Sequence, residues 1–116
     1  MELTIVVLAD TESHGDLGRL ANALETAADA TQAGAEVEII FDGAATRWIE
    51  QLQDPRHRYH ALWSELKPQA GACAYCSRAF GVLAAVRAAK VTLLDENRGH
   101  PSLYTRLSQG NKILIF

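Results

Sequence analysis

The chain has 116 residues, close to the commonest domain size, so one domain spanning 1–116 with roughly two thirds of its unfolded surface buried is expected. A hydrophobic share of 48%, a charged share of 22% and the lack of any low-complexity tract argue against extended disorder. Eleven basic against fourteen acidic residues, with no Lys and Arg cluster, argue against a nucleic-acid partner, and the longest apolar run, Ile5 to Ala9, falls far short of the ~20 residues of a membrane span.

Leu3 to Leu8, "LTIVVL", is a β-branched run without alternation, as in a parallel strand covered on both faces. Ser13 with Asp16 resembles a capping box, and Leu17, Leu20, Leu24, Ala27 and Ala28 then recur at helical spacing until Gly34. His14 falls in the loop entering this helix. Val37 to Phe41 reads as the second strand and Asp42-Gly43 as a turn. Two short helices follow, one with Trp48, Ile49 and Leu52 on a face, the other with Tyr59, Leu62, Trp63 and Leu66, ended by Pro68. These large apolar groups exceed what two short helices need to cover a small sheet, which predicts an exposed partner surface.

Gln69 to Ala72 is small and short, yet the rhythm of the chain requires a third strand there. Ala74 to Ala89 reads as one helix carrying Ala79, Phe80, Leu83 and Val86, in which Gly81 suggests close approach to a neighbour. Val91 to Leu94 is the fourth strand. "HPSLYTRLSQG" reads as a short helix with Pro101 in its first turn, and "KILIF" as the fifth strand. Strands alternating with helices give an α/β fold, a three-layer α/β/α arrangement around a five-stranded parallel sheet of undetermined strand order.

In such a sheet the loops leaving the strands share one edge, where α/β proteins bind ligands. That edge gathers His14, Asp42, Cys73 with Cys76, and His100. Met1-Glu2-Leu3 lacks the start of a secretory signal, so a cytoplasmic protein is expected, in which a close cysteine pair is more often catalytic, redox-active or metal-binding than a staple. Cys73 at the start of a helix, with Arg78 one turn on, sits where a thiolate is favoured. Burial of a small residue at a crowded strand-to-helix corner is the lesser alternative for a cysteine there. His14 and His100 fit solvated loops, and Asp42 fits a turn. His57 and His60 with the cysteines spell H-x2-H-x12-C-x2-C, a zinc-like spacing and the basis of a divalent-metal or small-ligand alternative. No phosphate loop, dinucleotide fingerprint or nucleophile elbow is present, and neither a cofactor nor a resident metal is expected.

The order of "TIVVLAD", "VEIIFDGAA", "ACAYCSRAFGV" and "LSQGNKILIF" resembles that of the DsrE/DsrF/TusD-like (YchN-like) sulfur-relay family over nearly the whole chain. The resemblance implies a sulfur carrier or sulfurtransferase that holds sulfane sulfur as a persulfide on Cys73, eight residues before Gly81. It implies sulfur donor and acceptor proteins as partners, and a homotrimer or homohexamer. Cys76 departs from the family's single-cysteine pattern and is positioned to resolve a persulfide into a disulfide. With it go supporting roles for Arg78 and proton-handling or substrate-binding roles for His14, Asp42 and His100. The remaining alternative is a structural subunit without catalysis.

Overall fold

A computed structural model describes residues 1–116 as five parallel strands alternating with helices. The strands are β1 (Glu2–Val7), β2 (Glu36–Phe41), β3 (Ala70–Cys73), β4 (Thr92–Leu94) and β5 (Lys112–Ile115), in the spatial order β4-β3-β2-β1-β5. The helices are α1 (His14–Gln32), α2 (Arg47–Leu52), α3 (His60–Leu66), α4 (Ala74–Ala79), α5 (Leu83–Ala88) and α6 (Leu103–Ser108).

The order follows from the handedness of crossovers. From β1 to β4 each strand is laid on the same side of its predecessor, and right-handed connections then carry all the intervening helices over one face. The step from β4 to β5 runs back across the sheet, so α6 lies on the other face. The core agrees with this. Ile5, Val7, Ile39, Phe41, Ala70 and Ala72 form one face, packed against Leu20 and Leu24 of α1, Trp48, Ile49 and Leu52 of α2, Trp63 and Leu66 of α3, and Val86 of α5. Phe41 and Trp63 meet edge to face with centroids 5.4 Å apart. On the opposite face Glu38 is held by Arg106 of α6, and buried Thr4 accepts from Asn111 Nδ2 at 3.1 Å. Both faces of β1 are thus covered, which accounts for its unbroken apolar run.

Several expectations need correction. Trp48, Ile49 and Trp63 of the β2–β3 crossover are buried rather than displayed, because α1, α2, α3 and α5 contribute to one core on that face. Their indole N–H groups donate to Ala9 O (Trp48, 2.9 Å) and Gln53 Oε1 (Trp63, 2.8 Å). The single helix expected over Ala74–Ala89 is two. Gly81 takes a φ of +73°, Gly81 N–H donates to Arg78 O and Val82 N–H to Ser77 O, the paired bonds of a Schellman stop. No side chain crowds Gly81, so the glycine serves the backbone rather than a close approach. The close approach is at Gly71 instead, where an added Cβ would lie 2.7 Å from Leu94 Cδ1. β3 runs one residue further along the chain than expected, ending on Cys73, and Pro101 precedes the α6 cap, Ser102, rather than joining its first turn.

The capping box at α1 forms as read: Ser13 Oγ accepts from Asp16 N–H at 3.1 Å and Asp16 Oδ2 accepts from Ser13 N–H at 3.1 Å. His14 is consequently the first residue of α1 and not part of a loop. No helix of the chain is long and apolar enough to cross a membrane.

Candidate functional site

The register of the sheet builds the site. Phe41 pairs with Ala72 and Cys73 with Leu94, so the residues that follow β2, β3 and β4 emerge side by side at one edge. The connection after β3 leaves over the four-helix face, whereas the one after β4 leaves over the α6 face. Adjacent strands whose connections part in this way leave a crevice between their carboxyl ends, the usual ligand position of an open α/β sheet. Cys73 and His100 meet at that edge of the sheet.

Cys73 is the N-cap of α4. Its Sγ accepts from Cys76 N–H at 3.3 Å, the place usually taken by Ser, Thr or Asp oxygen, and this bond fixes the three-residue spacing of the thiols. Sγ of Cys73 also lies 3.2 Å from His100 Nδ1 and 3.8 Å from Gly99 O. The Cys76 thiol is directed at Asp42 Oδ1, 3.4 Å away, and the same oxygen accepts from Gly43 N–H at 2.9 Å. One ligand atom from each of Asp42, Cys73, Cys76 and His100 lies within 4.8 Å of all the others. Both cysteines are free thiols.

His100 is set by a feature that the sequence reading missed. Asn97 and His100 exchange two backbone hydrogen bonds of 2.8 and 2.9 Å around Arg98 and Gly99, whose φ values of 51° and 89° are those of a tight primed hairpin turn. The Asn-Arg-Gly sequence before His100 is the signal that would have found it. Tyr75 completes the setting: its ring stacks on His100 with centroids 4.7 Å apart, and its N–H donates to Gly99 O at 2.8 Å. Ser77, buried, anchors the other side by donating to Cys73 O at 2.7 Å.

The two thiols differ in access. Cys73 is fully buried and Cys76 half-buried. Burial pushes the Cys73 thiol up to about 12, with the facing Cys76 and Asp42 acting in the same direction and the Cys76 N–H opposing them. The expectation of an acidic Cys73 is corrected accordingly: the six-residue α4 does not offset the desolvation of a thiol with no exposed surface. Arg78 is exposed and makes no hydrogen bond or ion pair to either cysteine. His14 is exposed at the start of α1, outside the cluster.

His57 and His60 do not join the cysteines. His57 Nδ1 accepts from Tyr59 N–H at 3.1 Å with its ring edge-on to Trp48, and His60 Nδ1 bonds Leu52 O at 2.7 Å. Linear spacing suggested a four-ligand set, but these histidines belong to the crossover that packs over one face. Asp42 and His100, from the loops after the flanking strands, take their place. No cavity of the chain is lined by either cysteine, so half-buried Cys76 meets solvent at the surface and not inside a small-molecule pocket, with Cys73 covered behind it.

No protein-family model and no curated protein matches the chain. Among solved structures it is similar to a conserved protein of unknown function from Bacteroides thetaiotaomicron, at 18% identity and a TM-score of 0.63, over 97% of this chain and 94% of that one. The likeness concerns the fold: five parallel strands between helices, with the reactive side chains of this chain gathered at the carboxyl edge of the sheet.

Proposed function

We propose that the chain is a sulfur-relay protein that accepts sulfane sulfur from a partner protein and holds it as a persulfide on Cys73. The observation that carries the reading is the 3.2 Å contact between Cys73 Sγ and His100 Nδ1, a nucleophile and base within hydrogen-bond reach, with a second thiol one helical turn away. The surface position of half-buried Cys76 supports a donor presented by another protein. The resemblance to sulfur-relay proteins supports the same chemistry and a cytoplasmic setting with reduced thiols. It also carries assembly as a homotrimer or homohexamer, for which the exposed Leu114 and Ile115 of edge strand β5 offer apolar surface.

Exposure sets the order of events. Half-buried Cys76 meets the donor persulfide, R–S–SH, and attacks its outer sulfur. The donor S–S bond breaks, Cys76–S–SH forms, and R–SH departs with the proton that Cys76 gave up. Cys73 then passes its proton to His100 Nδ1 and attacks the same outer sulfur. Cys73–S–SH forms, and Cys76 leaves as a thiolate that recovers the proton. Neither step changes the overall oxidation state, and both are thiol exchanges at sulfur.

Intact-mass measurement after incubation with a low-molecular-weight persulfide tests this. Wild type is expected to gain one sulfur atom. Cys76→Ser should load at least about tenfold more slowly, since the buried thiol lacks its relay. Cys73→Ser should load on Cys76 and lose the sulfur faster to added thiol. Absence of loading in the wild type, or equal loading by a variant lacking both thiols, removes the proposal.

A further inference from the structure

The geometry points to a closed binding site for one zinc-class divalent ion formed by Asp42, Cys73, Cys76 and His100. The inference does not depend on sulfur transfer. Four donors from the carboxyl ends of three adjacent strands and the segments that follow them already converge, each ligand atom within 4.8 Å of the rest. Zinc bonded at about 2.0–2.3 Å to N, O and S in a tetrahedron sets its ligand atoms roughly 3.3–3.8 Å apart. The Cys73–His100 distance of 3.2 Å lies just below that range, and the Cys76–Asp42 distance of 3.4 Å falls within it. The remaining pairs, all already within 4.8 Å, need contractions of no more than about 1.5 Å to reach that range.

The donor set selects the ion. Two thiolates and an imidazole disfavour magnesium and calcium, which take oxygen ligands, and suit zinc or cobalt. With two thiolates, one carboxylate and a neutral imidazole, a divalent ion leaves one net negative charge in place of three facing one another. Binding exchanges two S–H bonds for two S–metal bonds and releases two protons to solvent. The surroundings orient the donors as outer groups do around metal ligands: Gly43 N–H on Asp42, Cys76 N–H on Cys73 Sγ, and the Tyr75 ring against His100. All four positions are protein ligands, so the bound ion has no open site, and both thiols are withdrawn from sulfur chemistry while it is held. Metal and persulfide are therefore alternative occupants.

The test uses full-length protein, reduced and freed of metal by chelator, titrated with Co²⁺ alone and then with Zn²⁺. One Co²⁺ per chain is expected, with thiolate-to-cobalt charge-transfer absorption and the intense visible bands of tetrahedral cobalt, all displaced by one Zn²⁺. Asp42→Asn and His100→Gln should each weaken zinc binding by at least about tenfold, while His57→Gln and His60→Gln leave it unchanged. Far-UV circular dichroism of the metal-free variants separates loss of ligand from loss of fold, and Cys76→Ser, altering a half-buried side chain, provides a further ligand variant. Failure of wild type to bind one ion overturns the inference, as does wild-type affinity in both Asp42→Asn and His100→Gln, which would leave only a loose dithiol. Sulfur loading, measured on the chelator-treated protein, is a separate readout, so either reading can fail while the other stands.

Discussion

At the residue scale the site rests on a division of labour between two thiols set by a single capping bond. Cys73 takes the cap position of α4 and is buried there, whereas Cys76, whose N–H makes that bond, is half-buried. Reactivity toward a solvent-borne electrophile follows exposure and thiolate fraction; Cys76 is the more exposed, and burial pushes the Cys73 thiol up. Alkylation of the reduced, metal-free protein with iodoacetamide near neutral pH should therefore modify Cys76 at least about tenfold faster than Cys73, and the difference should vanish in denaturant. Rates measured separately on Cys73→Ser and Cys76→Ser decide it; a faster Cys73 would mean that the cover over Cys73 opens more readily than its packing implies. The two cysteines and Asp42 were legible in the sequence as neighbours at a strand edge, because a parallel sheet sends successive loops to one rim. Which thiol faces solvent was not, since burial depends on Tyr75, Gly99 and His100 closing over the Cys73 side.

At the element scale, three of the helices that return to strands, α1, α5 and α6, end in the same way, and α5 does so with the wrong residue. After α5, Lys90 adopts a φ of 60° while Lys90 N–H donates to Arg87 O and Val91 N–H to Val86 O, the bond pattern that Gly81 makes after α4. A left-handed backbone strains any residue with a Cβ and suits glycine. Lys90→Gly should stabilise the chain by about 0.5–1 kcal/mol after the added freedom of the unfolded state is counted, and Gly81→Ala should destabilise it by about 1 kcal/mol. Denaturant midpoints at unchanged slope would show both; a destabilised Lys90→Gly would mean that its side chain contributes more than its backbone strain. The long strand signals were readable because β-branched runs such as "TIVV" and "EIIF" bury both faces. The break between α4 and α5 was hidden because Phe80 and Leu83 keep helical spacing across Gly81, and the Asn97–His100 hairpin because a single bridging pair is too short to show a period.

At the scale of the whole molecule the asymmetry of the sheet decides what is vulnerable. Four helices secure one face through a continuous apolar core, and α6 alone spans the other, fastened through Arg106, whose guanidinium donates to Glu38 at 2.6 and 2.8 Å and to Glu96 at 2.6 Å. The Arg106 side chain is only 12% exposed, against 33% for Glu38 and 41% for Glu96, so the network is partly desolvated and partly screened. This return crossover was unreadable in sequence, because Glu38 and Arg106 are 68 positions apart and nothing local couples them. For Glu96, burial raises the carboxyl, but the bonds from Arg106 and from Ser102 N–H lower it further, leaving it below the ordinary value. A depressed carboxylate stabilises the fold fully above its unfolded value, near 4.5, and that contribution is lost as pH falls through the folded value. Arg106→Gln should accordingly destabilise the chain at neutral pH by about 1–2 kcal/mol, the middle ground between exposed and buried ion pairs. The gap to wild type should then narrow as pH falls past the ordinary glutamate value and through the lowered folded value at which Glu96 gains its proton. Thermal or denaturant unfolding of both proteins from pH 7 to pH 3 measures the gap directly. A constant gap across that range would assign Arg106 a packing role through its aliphatic stem and leave α6 held by something other than charge.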